Sequence, residues 1–321
     1  AWWDLTYYHL DITVNLEDST ISGTNKVQYR VDSLNTSIMQ IDLQEPMEIT
    51  SVNQRGMELS FERDSNAYFI ETTLQKEIGS IEELTISFNG KPRKAVNAPW
   101  DGGFVWTRDS NGIAFIATAN QGIGASIWWP NKDHAYDEPD SILISVTIPE
   151  NLIDVSNGRL RRTDVNGNGT KTWHWFVSNP INNYGVNLNI GDYVHIPQKF
   201  SGEKGELDVD FWVLRENEQK AIEQFADVPR TLEAFEYWFG PYPFYEDSYK
   251  LVEAPYLGME HQSSVTYGNG YKNGYRGRDL SGTSWGLKWD FIIVHETGHE
   301  WFANNITYKD VADMWIHESF T

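Results

Sequence analysis

The sequence predicts an N-terminal antiparallel all-β domain of saddle or sandwich type, followed by the first part of an α+β domain. Three observations lead to this prediction. Residues 1–197 show strand-like alternation with frequent turn residues, and helical patterns begin only near residue 216. Two histidines, His295 and His299, then stand four residues apart in a helical run. We therefore expect a β-domain over residues 1–200 and a second domain over residues 201–321.

The strand predictions in the first domain rest on period-two alternation of apolar and polar residues. It is clearest in residues 9–16, 26–31 and 84–88. Turn signals that contain glycine separate such segments, at residues 89–90, 101–103, 111–112 and 166–169. No long stretch of this half has a helical pattern, so we expect a sheet domain without substantial helices.

The second domain is predicted to open after a polar, glycine-containing stretch at residues 198–205. A strand at residues 207–213 is followed by helices from 216 to about 225 and from 231 to 239, where Gly240 and Pro241 form a stop signal. A short strand at 249–255 comes next. A loop rich in Gly, Tyr and Asn, residues 266–282, then leads to a helix expected to begin near Ser284.

That last helix contains the pattern H-E-x-x-H, formed by His295, Glu296 and His299. Residues four apart lie on one face of a helix, so both imidazoles can reach a single metal ion. Glu296 lies beside that face, where it can take a proton from a water that the metal activates. The pattern thus predicts hydrolytic metal chemistry rather than a purely structural helix.

Glu318 supplies a third candidate ligand, separated from His299 by eighteen intervening residues. This separation leaves room to end the first helix, turn, and begin a second helix. A His-His-Glu set is typical of catalytic zinc, because structural zinc sites usually have four ligands and are rich in Cys. Strands followed by helices that carry H-E-x-x-H are typical of the thermolysin-like architecture.

Charge and composition exclude several other classes of function. The 321 residues include 25 basic and 46 acidic side chains, a formal net charge of −21, which argues against nucleic acid as a partner. There is no cysteine, so disulfides and thiol catalysis are excluded. No apolar run reaches the roughly 18 residues that a membrane helix needs. The compartment stays open, with a slight preference for bacterial export.

The sequence ends three residues after Glu318, where we expect the middle of a helix. We therefore predict a C-terminally truncated fragment whose partners include the missing C-terminal part of its own chain. As a fragment it is expected to hold zinc weakly and to catalyse poorly.

Residues 257–261, Leu-Gly-Met-Glu-His, together with H-E-x-x-H and Glu318, resemble the aminopeptidase N family of gluzincin zinc metallopeptidases. That family combines a G-x-M-E-N exopeptidase motif with H-E-x-x-H-x18-E. Further similar stretches are residues 118–121, 129–139, 300–307 and 315–320. The resemblance implies one Zn²⁺ per chain and peptide substrates with a free N-terminus.

The resemblance also implies roles for individual residues. His295, His299 and Glu318 would be the zinc ligands and Glu296 the general base. Glu260 would bind the free α-amine of the substrate, and Gln121 of the β-domain would line the same subsite. The backbone of Gly258 and Met259 would pair with the substrate as an added strand.

The chain departs from the family pattern at three positions and lacks one expected residue. Leu257 replaces a glycine, His261 replaces an asparagine, and Ala119 stands where the family has a glutamine. The family's oxyanion-donating tyrosine lies further downstream and cannot be assigned here. These differences concern the substrate subsites, since every candidate ligand and Glu296 are present.

Two other functions remain open at this point. The zinc residues alone would also serve a gluzincin endopeptidase, although Glu260 within its motif favours the aminopeptidase. A zinc-dependent peptide-binding protein that does not cleave is the second alternative. The side-chain preference and the oligomeric state are not predicted.

Overall fold

The computed structural model describes residues 1–34, 36–72 and 77–321. Over these residues the chain is mainly β, and no helix is long and apolar enough to cross a membrane. The strands are β1 (Trp3–Asn15), β2 (Thr20–Val31), β3 (Ile38–Asp42), β4 (Glu48–Gln54), β5 (Met57–Glu58), β6 (Phe61–Asp64), β7 (Ala67–Glu71), β8 (Ile81–Gly90), β9 (Gly103–Arg108), β10 (Ala114–Ala119), β11 (Ser141–Pro149), β12 (Ile153–Val155), β13 (Arg159–Val165), β14 (Thr170–Val177), β15 (Asn189–Gly191), β16 (Tyr193–Gly202), β17 (Gly205–Leu214), β18 (Tyr249–Glu253), β19 (Gly258–Met259) and β20 (Val265–Tyr267). The α-helices are α1 (Glu218–Gln224), α2 (Asp227–Phe239), α3 (Phe291–Gly298) and α4 (Trp315–Ser319).

The chain forms two compact units whose segments interleave along the sequence. The first unit comprises Ala1–Phe104, Asn120–Glu150 and Arg159–Val186. The second comprises Val105–Ala119, Asn151–Gly158 and Asn187–Thr321. The domain boundary predicted at residue 200 divides the chain at a single point and stays a prediction. The polar stretch at 198–205, interpreted above as a boundary, forms the end of β16 and its turn into β17.

The first unit is built on an eight-stranded sheet in the order β13-β14-β11-β1-β2-β8-β4-β5. The alternation of apolar and polar residues explains why these segments form strands with one buried face. In β1 the side chains of Leu10, Ile12 and Val14 are buried, whereas those of Asp11 and Thr13 are exposed. The predicted all-β fold is confirmed. One pair departs from the antiparallel pattern, because β11 returns to pair with β1 in parallel. A separate three-stranded sheet has the order β3-β7-β6.

The predicted turns are mostly present, with one exception. Residues 111–112 connect β9 to β10, and residues 166–169 connect β13 to β14. Residues 101–102 form a turn that leads into β9. The Asn-Gly pair at 89–90 is different, since it continues β8 and pairs with β2. Strand pairing overrides the local turn preference there, and Gly90 takes a positive φ of 150° that suits glycine.

The second unit combines sheets with all four α-helices. A five-stranded sheet has the order β16-β17-β18-β20-β19, and β19 is its last strand. Ile292 and Ile293 of α3 pack with Val209, Leu251 and Val265 of this sheet in one apolar core. Another sheet has the order β12-β15-β10-β9. The core fixes the position of α3, which carries the H-E-x-x-H pattern.

Helix α3 begins later than the sequence predicted. Residues Trp285–Leu287 form a short 3-10 segment, and the α-helix starts only at Phe291. Asp290 explains the start, because its side chain accepts hydrogen bonds from the N–H groups of Ile292 (3.0 Å) and Ile293 (3.3 Å). An aspartate just before an apolar run is a helix-start signal that the prediction near Ser284 overlooked.

Candidate metal centre

Helix α3 brings the two predicted histidine ligands together at its C-terminal end. His295 lies in the last turn and His299 is the C-cap, still with helical backbone angles. Their Nε2 atoms are 3.4 Å apart. Potential ligand atoms of His295, Glu296 and His299 all lie within 4.8 Å of one another. The spacing of four residues thus gives the common face that the sequence predicted.

A backbone hydrogen bond sets which nitrogen of His299 faces the centre. Its Nδ1 lies 3.0 Å from the carbonyl oxygen of Phe302, a contact in which Nδ1 must donate. In the tautomer that this bond selects, Nε2 is the nitrogen with the free lone pair, and it faces His295. Histidine ligands are commonly oriented in this way by a hydrogen bond from the other ring nitrogen.

Glu318, in α4, completes a triangle of donor atoms. Its Oε2 is 3.5 Å from Nε2 of His295 and 3.8 Å from Nε2 of His299. With bonds of about 2.1 Å, a tetrahedral zinc ion separates its ligands by about 3.4 Å. The three donor atoms therefore match three corners of a zinc tetrahedron to within a few tenths of an ångström. Two imidazoles and one carboxylate are also the donor set expected for catalytic zinc.

The electrostatics of the site also suit a divalent cation. Burial, with the neighbouring His299, lowers the pKa of His295 to about 4, so its imidazole is neutral near pH 7. A neutral imidazole is the form that binds a metal. The ring of His295 stacks on Phe291 at a centroid distance of 5.5 Å. This stacking limits the orientations that the ligand can take.

Glu296 is buried next to the histidines, where it is only 6% exposed. Burial, and then the nearby carboxylates of Glu260 and Glu318, raise the pKa of Glu296 well above its usual value. Gly258 packs directly against it: a Cβ added at residue 258 would lie 2.5 Å from Oε1 of Glu296. Glycine at this position leaves the space that the carboxyl group occupies.

The predicted substrate-binding residues Gly258, Met259 and Glu260 lie at the edge of the five-stranded sheet. Gly258 and Met259 form β19, which pairs with β20 on one side. Glu260 follows directly and is 3% exposed. The carbonyl oxygen of Glu260 accepts a hydrogen bond of 2.9 Å from Nδ2 of Asn304. The segment is thus fixed through its backbone.

His261, which replaces an asparagine of the family motif, is fully buried beside this segment. Its Nδ1 lies 3.4 Å from the hydroxyl of Thr266. Burial lowers the pKa of His261 to about 3, so its ring is neutral over the physiological range. The substitution therefore adds no charge next to Glu260.

Gln121 belongs to the first compact unit, where it lies half-buried in the turn that follows β10. The residues grouped above all belong to the second unit. The predicted contribution of Gln121 to a substrate subsite stays a prediction.

Three residues that support the site were not singled out from the sequence. They are Asp290, which caps α3, and Glu300 and Asn304, which follow the second histidine. Asp290 also accepts hydrogen bonds from Tyr267 (2.7 Å) and Asn269 (2.8 Å). The capping signal before α3 could have revealed Asp290. The spacing of Glu300 and Asn304 reveals neither Ser263 nor Glu260 as a partner, since these contacts span 37 and 44 residues of the chain.

Comparison with known proteins identifies relatives of both halves of the chain. The peptidase M1 N-terminal domain matches residues 5–184. The chain is similar to "Probable aminopeptidase 1" of Sulfurisphaera tokodaii, with 22% identity over 97% of this chain and 37% of that protein. It is also similar to "Tricorn protease-interacting factor F2" of Thermoplasma acidophilum, with 21% identity over 98% of this chain and 37% of that protein. The chain therefore spans about 37% of the length of these relatives.

Solved structures agree in fold. An M1 zinc metallopeptidase from Deinococcus radiodurans superposes with a TM-score of 0.78 at 19% identity, covering 99% of this chain and 68% of that one. A mutant of that enzyme bound to a Tyr-Ser-Ala substrate gives the same TM-score at 18% identity, with the same coverage. At such identities the likeness concerns the fold.

Proposed function

The chain belongs to the peptidase M1 family, the aminopeptidase N-like gluzincins, and from this membership we propose that its protein is a zinc-dependent aminopeptidase. The proposed reaction is hydrolysis of the first peptide bond of a peptide with a free N-terminus. One observation carries the proposal. The donor atoms of His295, His299 and Glu318 form a triangle with sides of 3.4, 3.5 and 3.8 Å, which fits tetrahedral zinc.

In the proposed site, those three residues hold one Zn²⁺. When bound, zinc would polarise the scissile carbonyl group and lower the pKa of a water molecule to about 7. Glu296 would accept the proton of the attacking water and pass it to the leaving amine. Burial makes Glu296 more basic than an exposed glutamate, and the positive charge of a bound zinc ion would favour its ionised form.

Glu260 supplies the selectivity for a free N-terminus. We place the substrate's ammonium group on its carboxylate, which is buried and close enough to Glu296 to raise that residue's pKa. A charge-assisted contact of this kind fixes the position of the first residue and penalises substrates with a blocked amine. Backbone groups of Gly258 and Met259 would pair with the substrate along the free edge of β19.

The relatives support the same reaction class. Several similar proteins bear the name aminopeptidase, and a structural neighbour was solved with the peptide Tyr-Ser-Ala. That neighbour is itself a zinc metallopeptidase.

The test uses the full-length gene product, freed of metal by chelation and reconstituted with Zn²⁺. One short peptide with a free N-terminus is compared with its N-acetylated counterpart by mass spectrometry of the products. The proposal predicts zinc-dependent release of the first residue from the free peptide and at least about a hundredfold slower cleavage of the acetylated one.

Other outcomes would redirect the assignment. Equal cleavage of the two peptides would make the protein an endopeptidase and remove the anchoring role of Glu260. Binding of peptide without cleavage, in the presence of bound zinc, would instead indicate a peptide-binding protein.

A further inference from the structure

We propose that Glu300 and Asn304 are positioning residues that set the place of Glu260 relative to the zinc ligands, and so fix the length of substrate between amine and cleaved bond. This inference rests on the proposed aminopeptidase function. It concerns two residues that make no predicted contact with zinc or substrate. It follows from a buried hydrogen-bond network in the second unit.

Glu300 lies at the centre of that network. It is 0% exposed, and both of its carboxylate oxygens lie 3.1 Å from the backbone nitrogen of Ser263. The hydroxyl of Tyr242 contacts the same carboxylate. A carboxylate enclosed in this way keeps its position only if these donors stay in place, since an unpaired buried charge is costly. Glu300 therefore holds the loop that follows Glu260.

Asn304 connects Glu300 to Glu260 directly. Its Nδ2 donates to Oε1 of Glu300 at 2.8 Å and to the carbonyl oxygen of Glu260 at 2.9 Å. An amide NH₂ group has two hydrogens, and these two contacts use both. Asn304 is 4% exposed, so water cannot readily replace either bond. Asn304 thus links the backbone of Glu260 to the carboxylate of Glu300.

The loop needs such support because its backbone is not relaxed. Ser263 has a φ of +53°, in the left-handed region that non-glycine residues seldom occupy. Its N–H is bound by Glu300, and its hydroxyl accepts a hydrogen bond of 2.8 Å from the N–H of Gly158. A conformation of this kind persists when several contacts determine it. Loss of Glu300 would let the loop relax and move Glu260.

One end of this hydrogen-bond network lies next to His299, a proposed zinc ligand. Glu300 directly follows His299, and the N–H of Asn304 donates to the carbonyl oxygen of His299 at 3.0 Å. The residues that hold the amine anchor therefore belong to the same tight turn as the ligand. This arrangement couples the two ends of the proposed substrate subsite.

Glu236 provides a matched control for Glu300. It is also a buried glutamate, 3% exposed, which accepts hydrogen bonds from the N–H groups of Glu203 (2.8 Å) and Tyr242 (2.9 Å) and from the hydroxyl of Tyr245 (2.7 Å). Its partners do not include residues 260–264. Glu236 is linked to Glu300 through Tyr242, so its replacement removes a comparable buried carboxylate from the same neighbourhood but no hydrogen bond to residues 260–264.

The experiment measures inhibition of the zinc-loaded, full-length gene product by two hydroxamates. Leucine hydroxamate carries an α-amine, and 4-methylpentanoic hydroxamate is identical but lacks it. The ratio of their inhibition constants reports the amine anchor alone, because both bear the same zinc-binding group. The variants are Glu300→Ala, Glu300→Gln, Asn304→Ala and Glu236→Ala, with zinc content measured for each.

We expect the wild-type protein to favour the amine-bearing inhibitor by about a hundredfold or more. Glu300→Ala should lower this preference at least about tenfold and Asn304→Ala about three- to tenfold. Glu300→Gln, which keeps one acceptor for Ser263, should restore part of it. Glu236→Ala should lower the melting temperature yet leave the preference unchanged.

Two outcomes would overturn the proposal itself, and a third would contradict the function on which it rests. An unchanged preference in zinc-loaded Asn304→Ala, or an equal loss in Glu236→Ala, would show that the network is only structural. Should Glu300→Ala fail to fold, Asn304→Ala and Glu300→Gln still decide the question. A wild-type protein that binds both inhibitors equally would instead contradict the proposed function itself.

Discussion

The eight-stranded sheet of the first unit and the segment of residues 253–304 in the second unit are stabilised in different ways. Along β1 and β11, the buried side chains are largely apolar, as in Ile12 and Ile144. In the second segment several buried side chains are charged or polar, among them Glu260, Asp290 and Glu300. The first region is stabilised mainly by burial of apolar area, whereas the second combines an apolar core with buried polar groups whose hydrogen bonds must also be made.

This difference has a functional meaning. Apolar packing tolerates small shifts, whereas a buried carboxylate requires its donors at defined positions. A region that must keep two imidazoles and several carboxylates in register benefits from the stricter form of support. The same strictness makes the region sensitive to single changes of charge.

The largest expected effect is a loss of activity, without loss of stability, when Glu296 is replaced. Glu296→Gln should lower kcat/KM of the full-length protein about 10²–10⁴-fold, because the proposed general base is lost. Stability should not fall, since a buried carboxyl group with a raised pKa is replaced by a neutral amide of the same shape. Kinetics on a free peptide, zinc content and a melting curve check this. A large fall in melting temperature would assign Glu296 a structural role instead.

In the apolar region the largest effect should come from a cavity. Ile12→Ala removes a fully buried side chain of β1 and should lower the free energy of unfolding by about 2–5 kcal/mol. The neighbouring Thr13→Ala, on the exposed face of the same strand, should change it by no more than about 0.5 kcal/mol. Urea unfolding followed by tryptophan fluorescence gives both values. Similar losses at the two positions would contradict the assigned faces of β1.

Replacement of Asp290 gives the corresponding test of the polar region, again measured as a change in the free energy of unfolding. Asp290→Ala removes the cap of α3 and strands the buried donors of Tyr267 and Asn269, which should cost about 2–4 kcal/mol. Asp310 is the control, because it caps a short 3-10 segment through the N–H of Ala312 but is exposed. Asp310→Ala should cost less than about 1 kcal/mol. If the two variants unfold at the same urea concentration, burial of the capping aspartate makes no additional contribution to folding stability.

A smaller effect, on how folding stability depends on pH, is expected from Glu138, a buried acidic residue of the first unit. Burial raises the pKa of Glu138 to about 7, above the ordinary 4.5. The folded state therefore favours the protonated acid: the associated stability is complete below about pH 4.5 and is lost as the pH rises towards 7. Glu138→Gln should stabilise the protein at pH 8 by about 1–3 kcal/mol and have no effect at pH 4. A constant difference across this range would refute the assignment.

The same contrast explains how far the sequence could predict the structure. Alternation in residues 9–16 and 84–88 predicted β1 and β8, because each position depends on the side of the sheet it faces. The spacing of His295 and His299 predicted a shared face for a similar reason. The parallel pairing of β1 with β11 was not predicted, because it joins residues more than a hundred positions apart.

Long-range polar contacts were equally beyond the sequence. Glu300 and Ser263 are 37 residues apart, and no local sequence pattern indicates that they form a hydrogen bond. The start of α3 at Phe291 differs from the predicted start near Ser284 for another reason. Asp290, just before the apolar run, is a local capping signal, and the prediction did not use it. The separation between His299 and Glu318 suggested a third ligand, but only the structure gives the distances between its oxygen and the two imidazoles.

The central claim is that His295, His299 and Glu318 hold one zinc ion. X-ray absorption spectroscopy of the full-length protein, loaded with one equivalent of Zn²⁺, tests it directly. The account predicts a four-coordinate shell of nitrogen and oxygen at about 2.0–2.2 Å, with the outer-shell scattering of two imidazoles. Glu318→Ala should weaken zinc binding while both imidazoles remain. A shell without imidazole scattering, or a spectrum that His299→Ala leaves unchanged, would contradict the claim.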